Sequence, residues 1–183
     1  MPEAGDEDPD YAERIAANAD IEQNAWQQTL DDMEAMAEEL EAEGWDVVAI
    51  PASHTAPESP DAGETDRFGF AYVVPDNYVD EFDEAFEEGS FPKYRVFRND
   101  MGSRVFQLTQ FLDPESETAI LVAGTYELMY APPLVTTAME EEEMYSHVQT
   151  LDGTVHGSFR HDDYEKFFQI GRASCRERVY TKV

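Results

Sequence analysis

The sequence predicts an α+β fold: one long N-terminal helix and a second short helix, packed on a mainly antiparallel sheet of about six to seven strands. Three observations carry that expectation. Trp26, Leu30, Met33, Ala37 and Leu40 recur at spacings of four and three, one apolar helical stripe. Later apolar segments alternate with period two and are joined by turn signals, Asp113-Pro114-Glu115-Ser116 and Asp152-Gly153. Across 183 residues, 42% are hydrophobic and 12% aromatic, enough for the core of one domain.

Element by element, Met1–Asp10 is acidic and Pro-containing and is read as a frayed N-terminus, ahead of a single domain over 11–169. Tyr11–Glu43 is a long helix that ends where Gly44 stands at the C-cap position. Trp45–Ile50 is a first strand, and Pro51–Asp66, rich in Pro, Ser, Thr and acid, reads as an exposed loop. Phe68–Val74 is a strand with Phe68, Phe70, Tyr72 and Val74 on one face. Asn77–Glu88 forms the short helix, burying Val79, Phe82 and Phe86.

Tyr94–Arg98, Arg104–Leu112 and Glu117–Tyr130 follow as strands. A tight turn over Asp113–Ser116 sets Leu112 opposite Glu117 and Leu108 opposite Leu121. Phe106, Leu108, Leu112, Leu121 and Ala123 then share one face, and Val105, Phe111, Ile120, Val122 and Tyr126 the other. Both faces are apolar, which puts this hairpin in the centre of the sheet. Leu134–Glu143 is a brief helix. Met144–Leu151 and Thr154–Arg160 make a last hairpin across Asp152-Gly153, and Asp162–Phe168 a terminal helical turn.

The chain carries 41 acidic and 12 basic residues, a net charge of −29. Phosphate neutralisation needs clustered Lys and Arg, so nucleic acid is excluded as a partner, and so is an anionic membrane surface. No apolar run approaches the roughly 20 residues of a membrane helix, and the acidic start argues against a targeting peptide. The acid is dispersed over the whole chain, and Lys occurs only at Lys93, Lys166 and Lys182. Self-repulsion at this charge is relieved in molar salt, where the Debye length is about 3 Å. The composition is that expected of a halophilic, cytoplasmic protein living in high-salt solvent.

Character changes at Ile170. Arg172, Arg176 and Arg178 crowd beside Cys175, the one cysteine, with no apolar periodicity. Back-translated as ATC GGA AGA GCG TCG TGT AGG GAA AGA GTG, Ile170–Val179 spells a common sequencing-adapter sequence. Residues 170–183 are therefore read as a non-native tail, set aside in reasoning about the fold. With Cys175 set aside, neither a disulfide nor thiol catalysis is expected.

The best constellation of chemical side chains is on the final hairpin. A two-residue turn places Tyr145 opposite Arg160, His147 opposite Ser158, and Gln149 opposite His156, all on one face. Six hydrogen-bonding side chains there could line a site for a polar ligand, or form the wet face of an amphipathic hairpin. His147 and His156 would be diagonal neighbours, about 7 Å apart at Cβ. Zinc catalysis wants three protein ligands, and this face offers no third, so no metal and no cofactor is expected. Ser146 and His147 are adjacent, which sends them to opposite faces and weakens a nucleophile–base pair. Dinucleotide, P-loop, nucleophile-elbow and zincin motifs are absent.

In MYSHVQTLDGTVHGSFRHDDYEKFF (Met144–Phe168), DRFGFAYVVP and FLDPESETAILVAGTYEL, the chain resembles a family of uncharacterised haloarchaeal proteins. The likeness runs from about Asp8 to Phe168. It implies no activity and no site residues, the family being one of unknown function. The function expected is a binding or regulatory module without catalysis of its own. The alternative is a small hydrolase or metal-dependent enzyme using the polar face of the 144–160 hairpin. A third class, a partner-binding or dimerising adaptor, would use Trp26, Leu30, Met33 and Leu40.

Overall fold

A computed structural model describes residues 9–59 and 68–168; residues 1–8 of the acidic N-terminus, residues 60–67 at the end of the Pro-rich segment and the tail from Gln169 lie outside the described residues. Among the described residues, three α-helices, α1 (Pro9–Ala42), α2 (Val79–Glu88) and α3 (Pro132–Glu141), accompany eight strands. These are β1 (Asp46–Pro51), β2 (His54–Glu58), β3 (Gly69–Val73), β4 (Lys93–Met101), β5 (Arg104–Asp113), β6 (Thr118–Glu127), β7 (Met144–Gln149) and β8 (Val155–His161).

The expected single sheet is instead two sheets of four strands, ordered β1-β6-β5-β4 and β2-β3-β7-β8. Each contains one parallel pair, β1 with β6 and β3 with β7, so neither is a pure run of hairpins. The physical reason lies in the two apolar faces of β5–β6. A long helix covers one of them, and the other needs a second broad apolar surface, which a sheet provides.

The helix-side layer holds Met33, Ala37 and Leu40 of α1 against Leu108, Leu112, Ala119, Leu121 and Ala123. Between the sheets, Val105, Phe111, Ile120, Val122 and Tyr126 meet Phe68, Phe70, Tyr72, Val148 and Phe159. The Phe111 and Phe159 rings stack across the two sheets at 3.9 Å, and α2 closes one end with Phe82 and Phe86 against Phe159. Aromatic stacking of this kind adds to what the area burial alone contributes.

The turn after β5 is wider than expected: Leu112 pairs with Ala119 and Leu108 with Ala123. The slip is two residues, an even number, so every side chain keeps the face its alternation predicts. Asp113 explains the wider turn. Burial alone would raise its pKa, but the Ser116 hydroxyl and the amides of Ser90, Glu115 and Ser116 hydrogen-bond the carboxylate and hold it below its ordinary value.

α1 forms because Ala, Glu, Gln, Leu and Met favour helix, and it stops at Gly44, whose φ of +96° suits glycine. The Trp45 amide then reaches back to Leu40 O at 3.0 Å. Only the C-terminal part of α1 packs on the sheet. Of the stripe named above, Met33 and Leu40 are buried there, and Trp26 and Leu30 lie half-buried at its margin. No helix among the described residues is long and apolar enough to cross a membrane.

The segment after β1 was expected to be a loop but contains β2. Ala52 N–H bonds Ala123 O at 2.8 Å in the first sheet, and Ser53 N–H bonds Val73 O at 2.8 Å in the second. Within two residues the chain has changed sheets. Gly124 makes this corner feasible: a Cβ there would meet Thr55 Oγ1 at 2.3 Å.

Candidate functional site

The hairpin β7–β8 pairs Tyr145 with Arg160 and His147 with Ser158, as the alternation predicts. The pairing of Gln149 with His156 is not made. A bulge between Val148 and Gln149 shifts the register, and Gln149 faces Val155. The turn is also wider than two residues: Gly153 N–H bonds Thr150 O at 2.9 Å, and Thr150 N–H bonds Thr154 O at 3.0 Å. An inserted residue re-aims the side chains beyond it, which sends His156 toward the hairpin end and leaves Val155 exposed.

On the polar face, His147 Nδ1 and Ser158 Oγ are 2.8 Å apart, and the Tyr145 ring stacks on the imidazole at 5.8 Å. Tyr145 OH donates to Glu143, whose other oxygen pairs with Arg160 at 2.5 Å. Arg160 also reaches Asp162 at 2.8 Å. His156 is engaged elsewhere, by Asp83 at 3.4 Å and by the Thr150 hydroxyl at 3.3 Å. The two imidazoles therefore hold different partners. Among the described residues, no three His, Cys, Asp or Glu side chains come together as a metal-ligand set.

The opposite face of the same hairpin carries a buried polar network. Ser146 Oγ lies 2.8 Å from His161 Nε2, and both residues are buried. Gln107 Nε2–H donates to Tyr72 OH at 2.8 Å across the inter-sheet core. Burial pushes Tyr72 up to about 12 even though the hydroxyls of Thr109 and Ser146 and the Gln107 amide act to lower it. His161 is driven down to about 3 by burial, with His147 and Lys166 adding positive repulsion. The Tyr94 ring covers its imidazole at 4.4 Å. The signal for this network was present: Gln107 and Thr109 occupy the register of Val105 and Phe111, two polar residues on an apolar face of a central strand.

A cleft of about 550 Å³ opens at the corner where β1 leaves β6 for the other sheet. One wall is β2, with His54, Thr55, Ala56 and Pro57; the other is the end of β6, with Thr125, Tyr126 and Glu127. Arg104 closes one side, and Tyr130 and Pro133 form an apolar rim. Arg104 is ion-paired with Glu127 and lies 3.7 Å from Glu22 of α1. Ser103 also donates to Glu127, so the charges at the floor are already matched to one another. Thr55 Oγ1 and Thr125 Oγ1 are buried at this corner without a hydrogen-bond partner. Sequence reasoning missed the cleft, because nothing local announces that a strand changes sheets between Ala52 and Ser53.

The fold and these sites define a two-sheet α+β protein with a helix-backed first sheet and a corner cleft. The chain belongs to a family of unknown function (DUF7529), whose model matches residues 12–169. No curated protein and no solved structure matches it.

Proposed function

We propose that this protein is a soluble, cytoplasmic, halophilic binding or regulatory module without catalysis of its own, and that its ligand occupies the corner cleft. The observation that carries the reading is the make-up of that cleft. It has the volume of a small-ligand site, with an apolar wall of Ala56, Pro57, Tyr130 and Pro133 facing a few polar groups. Its ionised side chains are spent on each other, which favours an uncharged ligand over an ion. Haloarchaeal origin is supported by the dispersed acid and the scarcity of Lys. The reading of Ile170–Val179 as adapter read-through is supported by the end of the family match at residue 169.

The test is a thermal-shift screen of uncharged metabolite-sized compounds in molar KCl, on wild type and Tyr130→Ala. A stabilising compound whose effect is lost in Tyr130→Ala supports the cleft. A stabilising compound equally effective on both proteins sinks it.

One observation favours the second reading, a small hydrolase on the hairpin face: the His147–Ser158 hydrogen bond joins a base to a hydroxyl. That reading expects ester hydrolysis abolished by Ser158→Ala and by His147→Ala alike.

A further inference from the structure

We propose that the corner cleft is a strand-addition slot, and that its ligand is the main chain of an extended, uncharged to basic peptide. This rests on the reading of the cleft as the binding site and names the class of ligand.

The argument starts from the β1–β6 ladder. The register runs from Asp46 opposite Thr118 to Pro51 opposite Ala123, and its last bond is Ala52 N–H to Ala123 O. Beyond Ala123, β6 continues through Glu127, still paired with β5 on its other side. Among the described residues, no strand pairs with the β1-side edge of Gly124–Glu127. Main-chain groups alternate sides along a strand. Ala123 O points to β1 and Leu128 N–H bonds Ser103 O on the β5 side, so Thr125 and Glu127 turn their N–H and C=O groups into the cleft. The facing wall is β2, the edge strand of the other sheet. Two strand edges thus border one slot, about 10 Å long over Thr125–Glu127, the three residues of β6 that line it. An inserted strand would complete the ladder that β1 abandons, which is how edge strands recruit peptides.

The walls select the side chains. Pro57, Tyr130 and Pro133 favour apolar groups on one side of the inserted strand. Glu22 and Glu127 beside the slot, and a net charge of −29 behind them, repel acidic peptides. The charge of Arg104 is matched by Glu127, although its Nε is buried without a hydrogen-bond partner.

The experiment is an amide-detected NMR titration in molar KCl with two capped peptides, acetyl-Lys-Val-Thr-Val-Lys-amide and the same peptide N-methylated at alternate residues. The expected result is saturable shifts at the Thr125 and Glu127 amides, with binding about tenfold weaker for the N-methylated peptide, which lacks donors the slot pairs with. Thr125→Pro removes the edge N–H at a position where an edge strand tolerates proline, and should weaken the unmodified peptide similarly. Equal binding of the two peptides, shifts confined to other strands, or no binding overturns strand addition. If uncharged small molecules shift Thr125 and Tyr130 while neither peptide does, strand addition falls and the cleft stands. If neither class shifts them, both readings fall.

Discussion

Ser146 and His147 are neighbours on β7, and each makes a serine–histidine hydrogen bond of 2.8 Å, on opposite faces of one sheet. The inner pair, Ser146 with His161, is sealed between the sheets, under the Tyr94 and Phe167 rings. Its imidazole, held near pKa 3, is a poor base at any physiological pH. The outer pair, His147 with Ser158, sits among Tyr145, Glu143 and Arg160 at a polar face. The same chemistry is sealed between the sheets in one layer and, in the other, pairs a buried His147 with a half-exposed Ser158 at the edge of a polar face. What separates them is which way the pleat turns the side chain, and what lies above it.

That contrast can be broken by mutation. Phe159→Ala, on the inner face opposite Ser146, removes the ring stacked on Phe111 and should cost about 3–5 kcal/mol in denaturant unfolding. Ser146→Ala leaves His161 buried without its hydroxyl partner and should cost about 1–3 kcal/mol. Ser158→Ala on the half-exposed outer face should cost about 1 kcal/mol or less, because water can replace the hydroxyl. Equal losses for the two serines would erase the distinction between the faces.

Acid sharpens the comparison further. His161 has a folded pKa near 3 against an ordinary 6.5, so below 6.5 the unfolded chain takes up a proton that the folded one refuses. The stability this provides is full above pH 6.5 and is lost as pH falls toward 3, by up to about 1.4 kcal/mol per pH unit. His161→Gln should flatten that part of the stability curve, and a curve unchanged by the substitution would refute it. Asp113, with its pKa lowered, adds a loss that sets in as pH falls below its ordinary 3.8 and is complete once the folded carboxylate protonates. The smallest effect belongs to Arg160→Ala. Its guanidinium is exposed where it pairs with Glu143 and Asp162, so unfolding should register little change, and less still in molar salt.

Much of the hairpin was legible in the chain. Tyr145 opposite Arg160 and His147 opposite Ser158 follow from counting outward from Asp152-Gly153, and the structure keeps both pairs. The bulge at Val148/Gln149 was not legible. The two-residue turn and the wider one share the same Asp-Gly signal, and the choice rests on Thr150, whose hydroxyl bonds Asp152 at 2.6 Å and whose amide bonds Thr154 O. The β5–β6 register lies two residues from the one a tight turn sets, for a related reason: Asp113 gathers the amides of Ser90 and Glu115, and Ser90 arrives from a distant part of the chain.

The division between what could and could not be read is therefore one of range. Alternation along a strand and the apolar stripe of α1 are local properties, and they assigned Val105, Phe111, Ile120 and Val122 to one layer and Leu108, Leu112 and Leu121 to another before any partner was known. Which element would cover each layer is a matter of contacts between distant segments. The second sheet, the parallel pairings of β1 with β6 and β3 with β7, and the cleft where β1 turns away at Ser53 all arise there. A strand's side-chain directions follow from its own backbone, but the end of its pairing depends on where its neighbour must go to bury another face.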